Sequence, residues 1–496
     1  MQHFGVIFYL QLVGKGGKIV TSYKRGTLLM SFSAYLDGKR GEIKELIQEL
    51  SKKFAYVSVL ATDVKASLVS ANRRTSSMSE GSASECGFVV KLNNGRGFYE
   101  YSTDDISGDK ATLAQKIADS VAICDDLCDS QIVANEIADE PLVQSFARPC
   151  DFDNYTPQQL LGFCENIKDQ LLQKDENVVN AICGLNYFTV SKLFISKNKE
   201  LDQFYSWVNA TAMVVYRNGE KMVMAREGSY SNLMGEALEK LPTLLDKLVH
   251  KANKLSTAKP IVPGVYDCIT DPSITGLIAH EAFGHGVEMD QFVKDRALAK
   301  QYVGKYVASP ICNMRDGAAS AFSTASYFFD DDGVLAQDTQ IIKNGILVSG
   351  ISDLTSASQL GTNPTGNGRR QSYKRKAYSR MTNTFFEAGT DKLEDMIASI
   401  KHGYMLFETN NGMEDPKNWQ IQCTAEYGIE IVDGKLTDNY VAPVVMSGYV
   451  PDLLKSISMI SDEFKVIGSG SCGKGYKEWV RVSDGGPALK VKVKLA

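Results

Sequence analysis

An α+β fold is expected, with an N-terminal α/β domain over residues 31–255 and a C-terminal, antiparallel β-rich domain over residues 256–496 that carries one embedded helix. Three observations predict it. The chain has 496 residues, too many for one ordinary hydrophobic core. Its first half alternates segments of helical and strand-like apolar spacing. After STAKPIVPG (256–264), with its small residues, two prolines and glycine, hairpin signals replace most of the helical ones.

The elements follow in order. GEIKELIQELSKKF (41–54) repeats apolar residues at helical spacing among good helix formers. YVSVLATDVKASLVSANRR is strand-rich, SMSEGSASE reads as a loop, and CGFVVKLNNGRGFYEYS turns at Asn94-Gly95 between two β-like runs. TLAQKIADSVAICDDL and TPQQLLGFCENIKDQLLQ are amphipathic helices. A second hairpin turns at Asn218-Gly219, and SNLMGEALEKLPTLLDKLVHKANKL returns to helix. Beyond the boundary, Asn344-Gly345 and Asp433-Gly434 mark tight hairpins, and the closing KVKVKLA alternates like an edge strand.

Composition narrows the function class only a little. A net charge of −5 with well-mixed signs offers no basic surface for nucleic acid or acidic membrane. No run of apolar residues is long enough to cross a membrane as a helix. Residues 1–30 read as an extension of uncertain role, without the basic start or cleavage site of a secretory signal. Met30 opens a cleaner pattern and offers an alternative start. The ten cysteines form no paired framework, so reduced thiols in the cytoplasm are expected, nine of them as small core residues. Cys472 is set apart by its glycine-dense loop.

The chemistry concentrates in CITDPSITGLIAHEAFGHGVEMDQF (268–292). Asp271 followed by Pro272 is a helix start, an acceptor at the N-cap and proline at the first helical position. Into the apolar helix that follows, the sequence places His280, Glu281 and His285, two of the five histidines in the chain. An H-E-x-x-x-H match arises by chance in only on the order of a few per thousand such compositions. Burying three such groups unpaired is costly, and a metal satisfies them together. In H-E-x-x-H the histidines stand four apart on one helix face and the glutamate is the general base. Here they stand five apart, about 140° around a regular α-helix. A kink, a helix end or a π-bulge restores their convergence, and Gly284 and Gly286 beside His285 would permit it.

A catalytic zinc needs about three protein ligands and an open position. His3, His250 and His402 lie in plain contexts. Cys472, in IGSGSCGKGYKEW, supplies a thiolate candidate, with Glu288 and Asp290 as rivals or as partners that orient an imidazole. Zinc is preferred because the donor set mixes nitrogen and sulfur.

Several motifs in one order then resemble a known family. HEAFGHGVE (280–288), NPTGNGRRQSY (363–373), RMTNTF (380–385), GSGSCGKG (468–475) and GGPALKV (485–491) are similar to the TldD/PmbA metallopeptidases, on the TldD-like, catalytic side. The resemblance runs from about residue 34 to the end of the sequence. It implies Zn2+ held by His280, His285 and Cys472, with Glu281 activating water, in a peptidase for short or unfolded peptides. It also implies a homodimer or a heterodimer with a PmbA (TldE)-like subunit. LFETNNGMEDPKNWQIQC and YKEWVRVSD depart from the family pattern, which bears on substrate preference rather than on metal binding. Arg369 and Arg370, in the polar NPTGNGRRQSY loop, are candidate anchors for substrate backbone or carboxylate. Against this stand a non-catalytic, metal-stabilised regulator and a hydrolase of another bond, neither of which explains the glutamate beside the first histidine as directly.

Overall fold

Alternation along the first long strands decides how the two halves of the chain meet. The computed structural model describes residues 32–127, 137, 139–468, 470–475 and 477–496; the sequence reading of residues 1–30 and of His3 lies outside them. Eight strands form one sheet, in the order Phe98–Thr103, Glu85–Asn93, Tyr56–Asn72, Val178–Ser196, Lys199–Asn218 and Leu142–Ala147. Ser76–Glu80 pairs with the third of these and Lys221–Ser231 with the fifth. Neighbours run antiparallel except Leu142–Ala147, which lies parallel to residues 199–204.

Successive side chains of a strand point to opposite faces. Val57, Val59, Ala61, Val69 and Ala71 share one face with Leu185, Leu193 and Ile195 and are buried there. The helices Arg40–Leu50, Lys110–Leu127, Pro157–Lys174 and Leu245–Thr257 cover that face. The opposite face, with Leu60, Phe194 and Leu201, packs on Phe329 from the second half. Gln203 on this face donates to the Phe329 carbonyl at 2.9 Å, Lys192 pairs with Asp331, and Lys91 pairs with Asp332 at 2.5 Å. The expected α/β half is thus a two-layer unit, helices on one side and the second half on the other.

The second half holds two larger sheets. In the first, the order is His402–Asp415, Gly264–Thr270, Leu489–Leu495, Val444–Tyr449, Gln420–Val432 and Lys435–Val441. A further pairing of His402–Asp415 with Gln420–Val432 closes five of these strands into a ring. The second runs Ile346–Leu347, Thr339–Lys343, Met314–Asp316, Asn383–Phe386, Ser483–Gly486 and Lys465–Ile467. The helical stretch 272–287 lies between them: its Gly276 abuts the backbone of Asp484 and Gly485, and Leu277 and Glu281 abut Gly412. Its start is as the sequence predicts, with the Asp271 carboxylate accepting from the Ile274 amide at 2.8 Å and proline at the first position.

Four expectations need correction. SMSEGSASE is not all loop, because Ser76–Glu80 pairs with residues 67–71; its side chains are all exposed, so no alternation betrays it. The final strand Leu489–Leu495 is central, between Gly264–Thr270 and Val444–Tyr449. Alternation reports one buried face and says nothing about how many backbone edges are paired. The second half also carries the short helices Leu354–Leu360, Leu393–Ala398 and Val450–Lys455 besides the expected one. Of the nine cysteines described, Cys86 and Cys124 are exposed rather than core, since the face an element presents outranks the average habit of its residue type. No helix among the described residues is long and apolar enough to cross a membrane.

Lys91 joins the two halves through a fully buried carboxylate, and removing one partner of a buried pair strands the other. Lys91→Met is expected to lower stability by about 3 kcal/mol, read as an earlier denaturant midpoint.

Candidate metal centre

The helical stretch changes its winding where the histidines sit. Residues 272–277 are α-helical, Ile278–Gly284 is a π-helix, and His285–Val287 closes the stretch as a 3₁₀ turn. The His285 amide donates to the His280 carbonyl, an i→i+5 bond that stacks the two residues one turn apart. Their rings stand at 90° with centroids 5.3 Å apart. Cys472, on the hairpin of Ser471–Lys474 with Lys477–Arg481, meets them, its Sγ 3.4 Å from His285 Nε2. One donor atom from each of His280, His285 and Cys472 lies within 4.8 Å of the other two.

The two glycines beside His285 serve a different end from the one expected. Gly284 has an ordinary helical φ of −61°, so its conformational freedom is not used. A Cβ there would sit 2.0 Å from Met381 Sδ. At Gly286 a Cβ would meet the Glu414 carboxyl at 2.9 Å and the Trp419 indole nitrogen at 3.0 Å. Both glycines make room for packing around the turn. Gly412 does the same for the glutamate, since a Cβ there would lie 2.5 Å from Glu281 Cγ.

The electrostatics suit a metal. His280 is 3% exposed and its Nδ1 is buried without a hydrogen-bond partner. An orphaned imidazole nitrogen, a second imidazole and a buried thiol form a donor set that fits zinc. Burial disfavours charge at each of them, yet their mutual attraction prevails. Cys472 and neighbouring carboxylates raise both imidazoles, His280 to about 9, and His285 and His280 hold the thiol well below its ordinary value. The thiolate is the metal-binding form. Burial raises the Glu281 carboxyl, against the pull of His280 and His285, and its Oε2 lies 3.7 Å from His285 Nε2.

A buried ring of partners stands behind the donors. Glu288, 1% exposed, places Oε2 3.3 Å from His285 Nδ1 and is held by Lys474 at 2.9 Å and Arg380 at 3.3 Å. Burial opposes its charge, but Lys474, His285 and Arg380 keep it well below the usual carboxylate range. Glu288 therefore orients His285, while Asp290 pairs with Lys474 at 2.8 Å; neither joins the three-donor cluster. Arg380, fully buried, donates to both the carbonyl and the Sγ of Cys472 at 2.9 Å. Sequence reasoning took Arg380 and Lys474 only as motif letters; an arginine opening the otherwise neutral RMTNTF was the available signal.

The arginine pair separates. Arg370 is buried against Glu100 of the first half, at 3.1 and 3.2 Å, and donates to the Arg375 carbonyl, so it ties the halves together at the wall of the seam cavity. Arg369 donates to the Met381 carbonyl at 2.7 Å, lies over the Tyr327 ring and lines a cavity at the seam between the halves. His402 pairs with Glu430 on the surface, and His250 is exposed.

The model of the PmbA/TldA metallopeptidase C-terminal domain matches residues 263–495, which contain all three donors. A zinc metalloprotease TldD homolog of Saccharolobus solfataricus is 30% identical over 305 residues, 60% of this chain and 67% of that one. The chain belongs to the TldD/PmbA family. A metalloprotease of Synechocystis is 26% identical over 91% of this chain and 96% of its own. A TldD homolog of Haemophilus influenzae is 35% identical over 44% of this chain and 45% of its own, so that match spans about half of each protein. Among solved structures, TldE from Thermococcus kodakarensis shares the fold with a TM-score of 0.73 at 18% identity, covering 92% of this chain and 100% of that one.

Partners that orient a metal-binding histidine typically change metal affinity 10- to 100-fold when lost. Glu288→Gln is accordingly expected to weaken zinc binding about 10- to 100-fold in a competition titration with a chromogenic chelator.

Proposed function

We propose that this protein is a zinc-dependent peptidase acting on short or unfolded peptides. In this reading His280, His285 and Cys472 hold the metal, and Glu281 is the general base. The observation that carries it is the convergence of the three donors within 4.8 Å beside a carboxylate of raised pKa. Zinc bound there would polarise the scissile carbonyl and acidify water.

The remaining steps belong to side chains of the chain itself. Glu281 takes a proton from the attacking water and delivers it to the leaving amine, a role that suits a carboxyl whose pKa burial raises. Glu288 fixes the tilt of the His285 ring from the Nδ1 side. Arg380 steadies the Cys472 thiolate from behind. Arg369, on the seam cavity, is positioned to donate to substrate carbonyls or a carboxylate. The C-terminal unit from residue 256 carries this machinery and residues 31–255 form a separate domain docked on it. A subunit like the TldE of known structure, or a second copy of this chain, would complete the assembly, and the cytoplasm would keep the ligand thiol reduced.

The test is zinc content and hydrolysis of an unstructured peptide, measured together. Wild type is expected to hold near-stoichiometric zinc. Cys472→Ala should lose both metal and activity, while Glu281→Ala should keep the metal and lose about 10²- to 10⁴-fold in rate. Wild type that cannot be loaded with zinc would sink the proposal. Gly412→Ala provides a sharper check on the base: by crowding Glu281 it should cut kcat about 100-fold with zinc retained.

A further inference from the structure

The face of the eight-stranded sheet that meets the second half is not covered evenly. Gln203 and Phe194 are buried under it, but farther along the same face Phe188 and Trp207, paired across neighbouring strands, remain only half-buried. Their rings stack at 3.7 Å and 20°, and the Arg481 guanidinium lies 4.3 Å above the Trp207 ring. Arg481 is held there by Asn209 at 2.6 Å and Thr324 at 3.1 Å. Two adjoining cavities of about 170 and 620 Å³ open at this place, and both are lined by Phe188, Trp207, Trp479 and Arg481. Trp479 is 50% exposed, a large indole presented to the wider cavity.

We propose that this seam is a subsite for an aromatic side chain of a bound peptide, framed by Phe188, Trp207 and Trp479. The inference rests on the peptidase reading and names a substrate class for it. Its connection to the metal centre is the hairpin that carries Cys472: Cys472 pairs with Val480, and Trp479 projects from the opposite face of the same strand. A side chain in the subsite therefore belongs to a residue a few positions from the bond that is cut. The stacked pair offers ring faces at small entropic cost, and aromatic partners gain from offset or edge contacts beyond the area they bury.

Binding is measured on zinc-loaded, full-length Glu281→Gln, which separates it from turnover. The probes are an unstructured nonapeptide with one Phe and its Ala counterpart, followed by intrinsic fluorescence. Two of the three tryptophans line the subsite, and the third, Trp419, is fully buried. The Phe peptide is expected to bind about tenfold more tightly than the Ala peptide. Trp479→Ala should erase that difference while leaving the Ala peptide within about twofold and zinc content unchanged. Phe188→Leu, which keeps an apolar wall without the stack, should reduce the difference partway and decides the matter if Trp479→Ala loses its zinc. Equal affinity for the two peptides, or equal weakening of both by either variant, would overturn the subsite. A wild type that loads zinc yet cleaves neither peptide would overturn the peptidase reading and leave the binding comparison standing.

Discussion

One backbone hydrogen bond, from the His285 amide to the His280 carbonyl, underlies the rest of the centre. On a regular α-helix, residues five apart diverge by about 140° and could not share a metal. The π-helical turn at Ile278–Gly284 removes that divergence and puts both imidazoles on the side where Cys472 arrives. Such a turn is rare and intrinsically unfavourable, so its surroundings must hold it. They do so through close packing: Gly276 against the Asp484–Gly485 backbone, Gly284 against Met381, and Gly286 against Glu414 and Trp419. Each glycine is a place where a single methyl group would push the helix away from its neighbours.

Charge imposes the second constraint. Several ionisable groups are buried within a small volume, and a buried charge is tolerable only when it is compensated. Arg380 and Lys474 supply the compensation for Glu288, Asp290 and the Cys472 thiolate. Removing either cation leaves an uncompensated anion at the centre, so these two residues belong to the site as firmly as the donors do. The same logic operates at the seam, where Lys91, Lys192 and Arg370 meet Asp332, Asp331 and Glu100. Those pairs fix the orientation of the sheet over the second half, and with it the shape of the cavities beside the Cys472 hairpin.

Much of the outline could be read from local signals. The Asn-Gly and Asp-Gly turns, the Asp271-Pro272 helix start and the helical spacing of residues 41–54 are properties of short windows, and the folded chain shows them where the sequence implies them. Ser76–Glu80 escaped because an exposed strand leaves no pattern, and Leu489–Leu495 was misplaced at an edge because alternation is blind to backbone pairing. The arginine pair at 369 and 370 looked like one feature, yet neighbouring residues of an extended segment face opposite ways. Arg370 pairs with Glu100 and Arg369 with the Met381 carbonyl, while both border the seam cavity.

By itself the sequence determined the kinds of donor, the placing of both histidines on one apolar helix and the family to which the chain belongs, because residue chemistry and motif order are one-dimensional. Only the tertiary structure decided that Cys472, 187 residues from His285, closes the cluster and that Glu288 and Asp290 stand behind it. It likewise decided that Arg380 holds the thiolate and that an aromatic pair lies open at the seam. These depend on distances between residues far apart along the chain, and such distances exist only once the helix has been wound and clamped between its two sheets.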